Sequence, residues 1–232
     1  CGVVTTFPFV ETFETNSPTA SCILAIDGNG DGETWNFSTT NPRSGLRSGQ
    51  IYTDFNDSNN DYMIMAQMQL DAAPKRLVFY ARSRTASESD EVSVRISTTG
   101  NAIANFTNVA LPSTLVTGAA YNEYIVDLSA YANQTIYIAF VRAGTPADGY
   151  YLNIDDVTVE NQPTCFPVTN LTLSNVTNTS GTISWTASVP ATSNGYQYEV
   201  RTSGDAGSGA TGLVASGSTA AGVLTANITS LT

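Results

Sequence analysis

Three groups of acidic side chains in this 232-residue chain are spaced for cation chemistry. The first is Asp27-Gly28-Asn29-Gly30-Asp31-Gly32, in which side-chain oxygens alternate with glycines. Glycine takes up the positive φ that a tight loop needs, so the side chains at 27, 29 and 31 can turn toward one point. Calcium takes roughly six to eight oxygens at about 2.3–2.6 Å, from carboxylates, amides and carbonyls. The run is not an EF-hand, because its twelfth position is Ser38 rather than Glu and no helical pattern flanks it. On the loop alone, a solvated Gly-Asn-Asp turn fits as well.

The second group is Glu11-Thr12-Phe13-Glu14, just upstream. The third is Asn153-Ile154-Asp155-Asp156-Val157. Around it Leu152 and Ile154 have one parity, whereas Val157 and Val159 have the other. The apolar phase slips at the Asp pair, and a bulge there would let both carboxylates leave the ladder together. Two acids in a strand otherwise built for burial are costly unless a cation or hydrogen bonds compensate them.

The elements that must position these groups are strands. No segment sustains a helical period beyond about two turns. Short alternating runs recur instead, at 77–80, 92–96, 124–128 and 135–140, separated by clusters of Gly, Asn, Ser and Asp. That pattern predicts an all-β chain, a β-sandwich or jelly roll. A polar linker at Asn161-Gln162-Pro163-Thr164 divides it into residues 1–162 and 163–232. Beyond the linker the runs 171–173, 182–185, 196–200 and 223–231 have the spacing of an immunoglobulin-like sandwich, with Trp185 as core anchor. Such a sandwich has about seven strands in about 100 residues, so residues 163–232 are expected to lack the last strands and to be unstable alone.

Charge bounds the partners. Lys and Arg number 9 against 20 Asp and Glu, a net −11, and only 12% of residues are charged. Nucleic acid and anionic membrane surfaces are repelled by such a field, and cations are attracted. No run reaches the roughly 20 apolar residues that cross a bilayer, so no membrane insertion is expected. Cys1 and Cys22 bracket a short segment and can close a disulfide, although lipidation of Cys1 or three buried thiols fit the count too. Cys165 then needs a partner outside the chain, which points to an oxidising compartment.

Catalysis has little to work with. The chain contains no histidine, which removes Ser-His-Asp and Cys-His chemistry and the commonest zinc ligand. No phosphate-binding loop, dinucleotide fingerprint or nucleophile elbow occurs. A carboxylate pair for glycoside hydrolysis stays open by count of acids, but the best-clustered acids already belong to the metal loop, and the chain reads as non-catalytic. Tyr52, Tyr62, Tyr121, Tyr150, Tyr151 and Trp35 could stack on sugars, against a default of core packing. Of the loop residues, Tyr121, Asp148 and Tyr150 are the candidate ligand contacts. Arg82 and Arg84 with the run Glu88-Asp90-Glu91 read as a solvated face.

Six motifs then fall in a recognisable order: Phe7-Pro8-Phe9 with Glu11 to Glu14, Ile26 to Gly32 with Trp35, Asn60 to Ile64, Val94 to Gly100, Val126 to Tyr131, and Ile154 to Val157. Their order across residues 5–160 resembles the cleaved-adhesin family, jelly-roll domains related to MAM domains and found in bacterial surface adhesins and gingipain haemagglutinin regions. Ile23 departs from the pattern, where a Trp commonly follows the early Cys. The resemblance implies structural calcium held by Glu14, Asp27, Asn29, Asp31, Asp155 and Asp156. It also implies a protein or carbohydrate ligand, an extracellular or outer-surface location and, in such bacteria, export by a type IX route. Residues 165–231 resemble the fibronectin type III repeats that often follow these domains. Two other roles fit the residues, an ancillary module of a larger secreted hydrolase and a structural subunit completed by a neighbour's strand.

Overall fold

The computed structural model describes residues 1–53, 58–144, 149–163, 168–188, 192, 194–229 and 231. They form two compact units, Cys1–Gln162 and Pro163–Thr232. The first contains β1 (Phe9–Glu11), β2 (Leu24–Asp27), β3 (Asn36–Ser38), β4 (Ser48–Tyr52), β5 (Asn59–Ile64) and β6 (Met68–Gln69). It continues with β7 (Lys75–Ser83), β8 (Asp90–Ser97), β9 (Asn108–Val116), β10 (Asn122–Asp127), β11 (Thr135–Gly144) and β12 (Tyr151–Asn161).

Two antiparallel sheets make a jelly-roll sandwich, in the orders β10-β7-β12-β4-β3 and β2-β5-β11-β8-β9. Strands that alternate apolar and polar residues bury one face each, and those faces meet here. Phe79 of the first sheet packs edge-on against Phe140 of the second at 4.9 Å. Around them Phe13, Ile51, Met63, Val94, Ile96, Ile138 and Leu152 are fully buried. The edge of β12 is shared: β4 pairs with residues 151–154 and β1 with residues 157–159.

Asp155-Asp156 lies at that seam. The register against β7 shifts between Asp155 and Thr158, and Asp156 has φ 48. The extra residue of the bulge lets Leu152, Ile154, Val157 and Val159 all enter the core despite their mixed parity; each is fully buried. A disulfide joins Cys1 to Cys22, closing the N-terminal segment; Cys165 lies outside the described residues.

One expectation fails in this unit. Asp90 is not part of a solvated face: it is 1% exposed, accepts a 2.5 Å hydrogen bond from Arg142 Nε and another from the Thr53 hydroxyl. Asp90 shares parity with Val92 and Val94, so the strand carries it inward, where a buried carboxylate must be paired. Arg82 and Arg84 do remain on the outer face.

The second unit has β13 (Thr169–Ser174), β14 (Ser180–Thr186) and β17 (Thr225–Thr229) in one sheet, and β15 (Gln197–Arg201) with β16 (Leu213–Ser218) in another. Trp185 is buried and packs edge-on against Tyr196 at 5.5 Å. Leu171, Leu173 and Val176 are 61–66% exposed beside a groove that Ile183, Val200 and Ile228 also line.

Candidate cation and ligand sites

β2 delivers Asp27 into the glycine-rich loop, and the loop closes on its carboxylate. Asp27 Oδ1 accepts the Gly30 N–H at 2.6 Å and Oδ2 the Gly32 N–H at 2.9 Å. These two donors hold the carboxyl below its usual range. Gly30 and Gly32 have φ of +80° and +93°, the left-handed turns that glycine permits. Asn29 Nδ2 donates to Asp31 Oδ2 and to the Ser58 carbonyl, both at 2.7 Å. Gly28 lies so close to β5 that a Cβ there would meet the Asn60 carbonyl at 2.4 Å.

Behind the loop stands Asp61, from the motif Asn60 to Ile64, outside the expected ligand set. Asp61 is the ladder partner of Asp27 on one side and of Arg142 on the other. It is fully buried, and neither carboxylate oxygen has a hydrogen-bond partner among the described residues. Burial, helped by the negative charge of Asp31 and Asp27, pushes its pKa up to about 7. Its parity with Met63, a core residue, was the available signal: an acid on the inward face of a strand asks for a compensating charge.

Glu14, Asp155 and Asp156 serve a different place. They grip the segment 43–47, which lies over the outer face of the first sheet. Glu14 Oε1 accepts the N–H groups of Leu46 at 2.7 Å and Arg47 at 2.9 Å. Asp155 Oδ2 accepts those of Arg43 at 2.7 Å and Ser44 at 3.2 Å, and Asp155 Oδ1 accepts that of Asp156 at 2.8 Å. Asp156 takes the Ser44 hydroxyl at 2.6 Å and an ion pair from Arg43, whose guanidinium lies 3.4 Å over the Tyr80 ring. Asp155 is fully buried, and burial raises its pKa to about 6 against those N–H donors. In this arrangement those acids accept hydrogen bonds, one of the two compensations that acids in a buried strand call for.

The six acids and amides expected around one chemistry therefore divide between two places, the loop with Asp27, Asn29 and Asp31, and the segment held by Glu14, Asp155 and Asp156. Among the described residues, no three His, Cys, Asp or Glu side chains converge in one metal-holding group. Asp61 supplies what the loop lacks, a carboxylate whose oxygens are uncommitted.

The expected ligand contacts also separate. The Tyr121 hydroxyl donates to the Asn41 carbonyl at 2.8 Å, and burial pushes its pKa up to about 12. Tyr121 thus anchors the segment before Pro42. Tyr150 belongs to a ring cluster with Tyr52 and Tyr151, at centroid distances of 5.3 and 4.8 Å. Trp35 and Tyr62 are buried, as the default for sandwich aromatics has it. Asp148 lies outside the described residues.

Residues 6–159 match the Cleaved Adhesin Domain family. Hemagglutinin A of Porphyromonas gingivalis is 29% identical over an alignment 187 residues long that covers 68% of this chain and 8% of that protein. The K3 cleaved adhesin domain of Lys-gingipain from the same organism superimposes with a TM-score of 0.53 at 25% identity, covering 66% of this chain and 96% of that one. The K1 domain of Lys-gingipain gives 0.54 at 22%, covering 68% and 100%. The chain thus spans under a tenth of the curated relative it matches and nearly the whole of each solved domain.

Proposed function

Because the chain belongs to the cleaved-adhesin family, we propose that it is a non-catalytic, calcium-stabilised binding module of a secreted or surface-exposed protein, taking a protein or glycan ligand. The match over residues 6–159 carries the adhesive role. The disulfide and the low, acidic surface charge suit an extracellular setting, and no described helix is long and apolar enough to cross a membrane.

The single observation behind calcium is Asp61. Asp61 is a buried carboxylate with no donor, faced by the carboxylates of Asp27 and Asp31 on one side and by Arg142 on the other, and burial leaves it open to a proton or a cation. Asp27, Asn29, Asp31 and Asp61 offer only hard oxygen donors of the type calcium takes. Calcium would supply charge compensation there and fix the loop against β5. Glu14, Asp155 and Asp156, the other half of the expected ligand set, gather on segment 43–47, where they accept its hydrogen bonds.

Residues 163–232 are read as an immunoglobulin-like unit of fibronectin type III kind, from the buried Trp185 and the pairing of a three-stranded with a two-stranded sheet. A second reading, an ancillary module of a secreted hydrolase, is favoured by one observation, the likeness to domains that are parts of Lys-gingipain.

The test is direct binding of the labelled chain to erythrocytes and to immobilised host glycoproteins, with calcium and with a chelator. Calcium-dependent binding supports the module. No binding to any surface in calcium removes the adhesive reading.

A further inference from the structure

The outer face of the first sheet carries a second feature that the cation chemistry does not use. Ile51, Leu152 and Ser83 point inward and are fully buried, so Tyr52, Tyr151, Arg82 and Arg84 project to the other side. Tyr52 and Tyr151 are direct ladder partners, with ring centroids 5.5 Å apart. Tyr150 joins them edge-on, and the Arg84 guanidinium lies 4.4 Å over its ring. All three tyrosines are half-buried, so each keeps part of its surface in water.

One rung further along the sheet, Arg82 is the ladder partner of Asn153. Its guanidinium donates to the carbonyls of Ser83 at 3.1 Å and Arg84 at 3.2 Å, and among the described residues no acid lies within ion-pair reach of it. Arg84 is paired at 3.2 Å with Glu88, but the arginine side chain is 49% exposed and the glutamate 30%. An exposed pair of this kind contributes little and yields readily to a better partner. In a chain of net charge −11, this patch carries, among the described residues, two guanidiniums and the carboxylate of Glu88.

We propose that Tyr52, Tyr150, Tyr151, Arg82 and Arg84 form a binding site for a glycan that carries a carboxylate-bearing pyranose. The proposal rests on the binding-module reading and adds the ligand class and its place. A pyranose has an apolar C–H face that packs on aromatic rings and a rim of hydroxyls. A sialyl or uronyl residue adds a carboxylate that a guanidinium fork accepts with two parallel hydrogen bonds. Stacking on Tyr150 holds the Arg84 fork in place before the ligand arrives, which lowers the entropy lost on binding.

The experiment titrates the whole chain, in calcium, with sialyllactose, a hyaluronan tetrasaccharide and lactose, followed by ligand-observed NMR. The expected result is that one acidic glycan binds about tenfold or more tightly than lactose; which of the two does so identifies the sugar as sialyl or uronyl. Arg84→Gln brings its affinity down to that of lactose, and Tyr151→Ala weakens it by about tenfold, with melting curves recorded to show that both variants stay folded. Binding of lactose equal to both acidic glycans overturns the assignment, as does an Arg84→Gln chain that binds as the parent does. Erythrocyte binding measured on the same samples separates the two levels: a chain that adheres to cells but takes no acidic glycan loses this site and keeps the module, and a chain that adheres to nothing loses the module.

Discussion

Asp61 stands directly opposite Asp27 in the β2–β5 ladder, and the two carboxylates have opposite surroundings. Asp27 is wrapped by the N–H groups of Gly30 and Gly32; Asp61, one strand inward, has no donor at all among the described residues. Like charges on facing ladder positions are destabilising, and under the calcium proposal a cation held between the two would relieve that repulsion.

Removing calcium should therefore lower stability. A ligand bound only by the native state stabilises it by about 2.7 kcal/mol at a hundredfold excess over its Kd. Thermal melts with calcium and with a chelator should differ by several degrees. Asp61→Asn should raise the melting temperature in chelator and shrink the calcium-dependent difference. Superimposable melts, with no metal found by elemental analysis, would falsify the calcium reading.

Asp90 and Arg142 form a pair with side chains 0% and 1% exposed. Breaking such a pair leaves an uncompensated buried charge, so Asp90→Ala should destabilise by about 3–5 kcal/mol in chemical denaturation. A loss below about 1 kcal/mol would mean that Asp90 is solvated after all.

Glu14 holds two backbone N–H groups of the 43–47 segment through one oxygen. Glu14→Ala should cost about 1 kcal/mol by removing these exposed and part-buried hydrogen bonds, with Glu14→Gln losing less because the amide oxygen still accepts. Gly45 belongs to the same contact: its φ is +59° and a Cβ would meet Glu14 Oε1 at 2.3 Å. Gly45→Ala should therefore destabilise too, and hydrogen exchange at Leu46 and Arg47 should rise in all three variants.

Tyr121 offers a pH signature. Burial pushes its pKa up to about 12, above the usual phenol value of about 10. Above pH 10 the unfolded chain ionises this phenol while the native one keeps it neutral, so the unfolded state binds fewer protons and stability falls as pH rises from about 10 to about 12. Tyr121→Phe should flatten that part of the stability profile. A phenolic titration near 10 at Tyr121, read by NMR, would contradict the burial.

Leu171, Leu173 and Val176 leave the second unit with exposed apolar surface next to its groove. Expressed alone, residues 163–232 should give poor amide dispersion and bind a hydrophobic dye. A well-dispersed, cooperatively melting monomer would show that the unit completes its own core and would remove the fibronectin-type reading.

Local pattern was enough for much of this protein. Alternation set the strands and the all-β class, since a period of two leaves no other way to bury one face. Parity around Asp155-Asp156 foretold the bulge, because four apolar residues of mixed phase reach one core only if a residue is taken out of the ladder. The order of six motifs carried the family. What no local pattern decides is which distant side chains meet. The acids at 14, 155 and 156 looked like partners of the 27–31 loop, yet long-range pairing gives them to the N–H groups of segment 43–47. Asp90 looked like surface because its neighbours Glu88 and Glu91 are charged; strand parity and Arg142, 52 residues away, put it inside. Asp61 became a candidate ligand only when β5 was laid between β2 and β11. Strand pairing is set by the burial of the whole sheet, so the company a side chain keeps is a property of the tertiary fold.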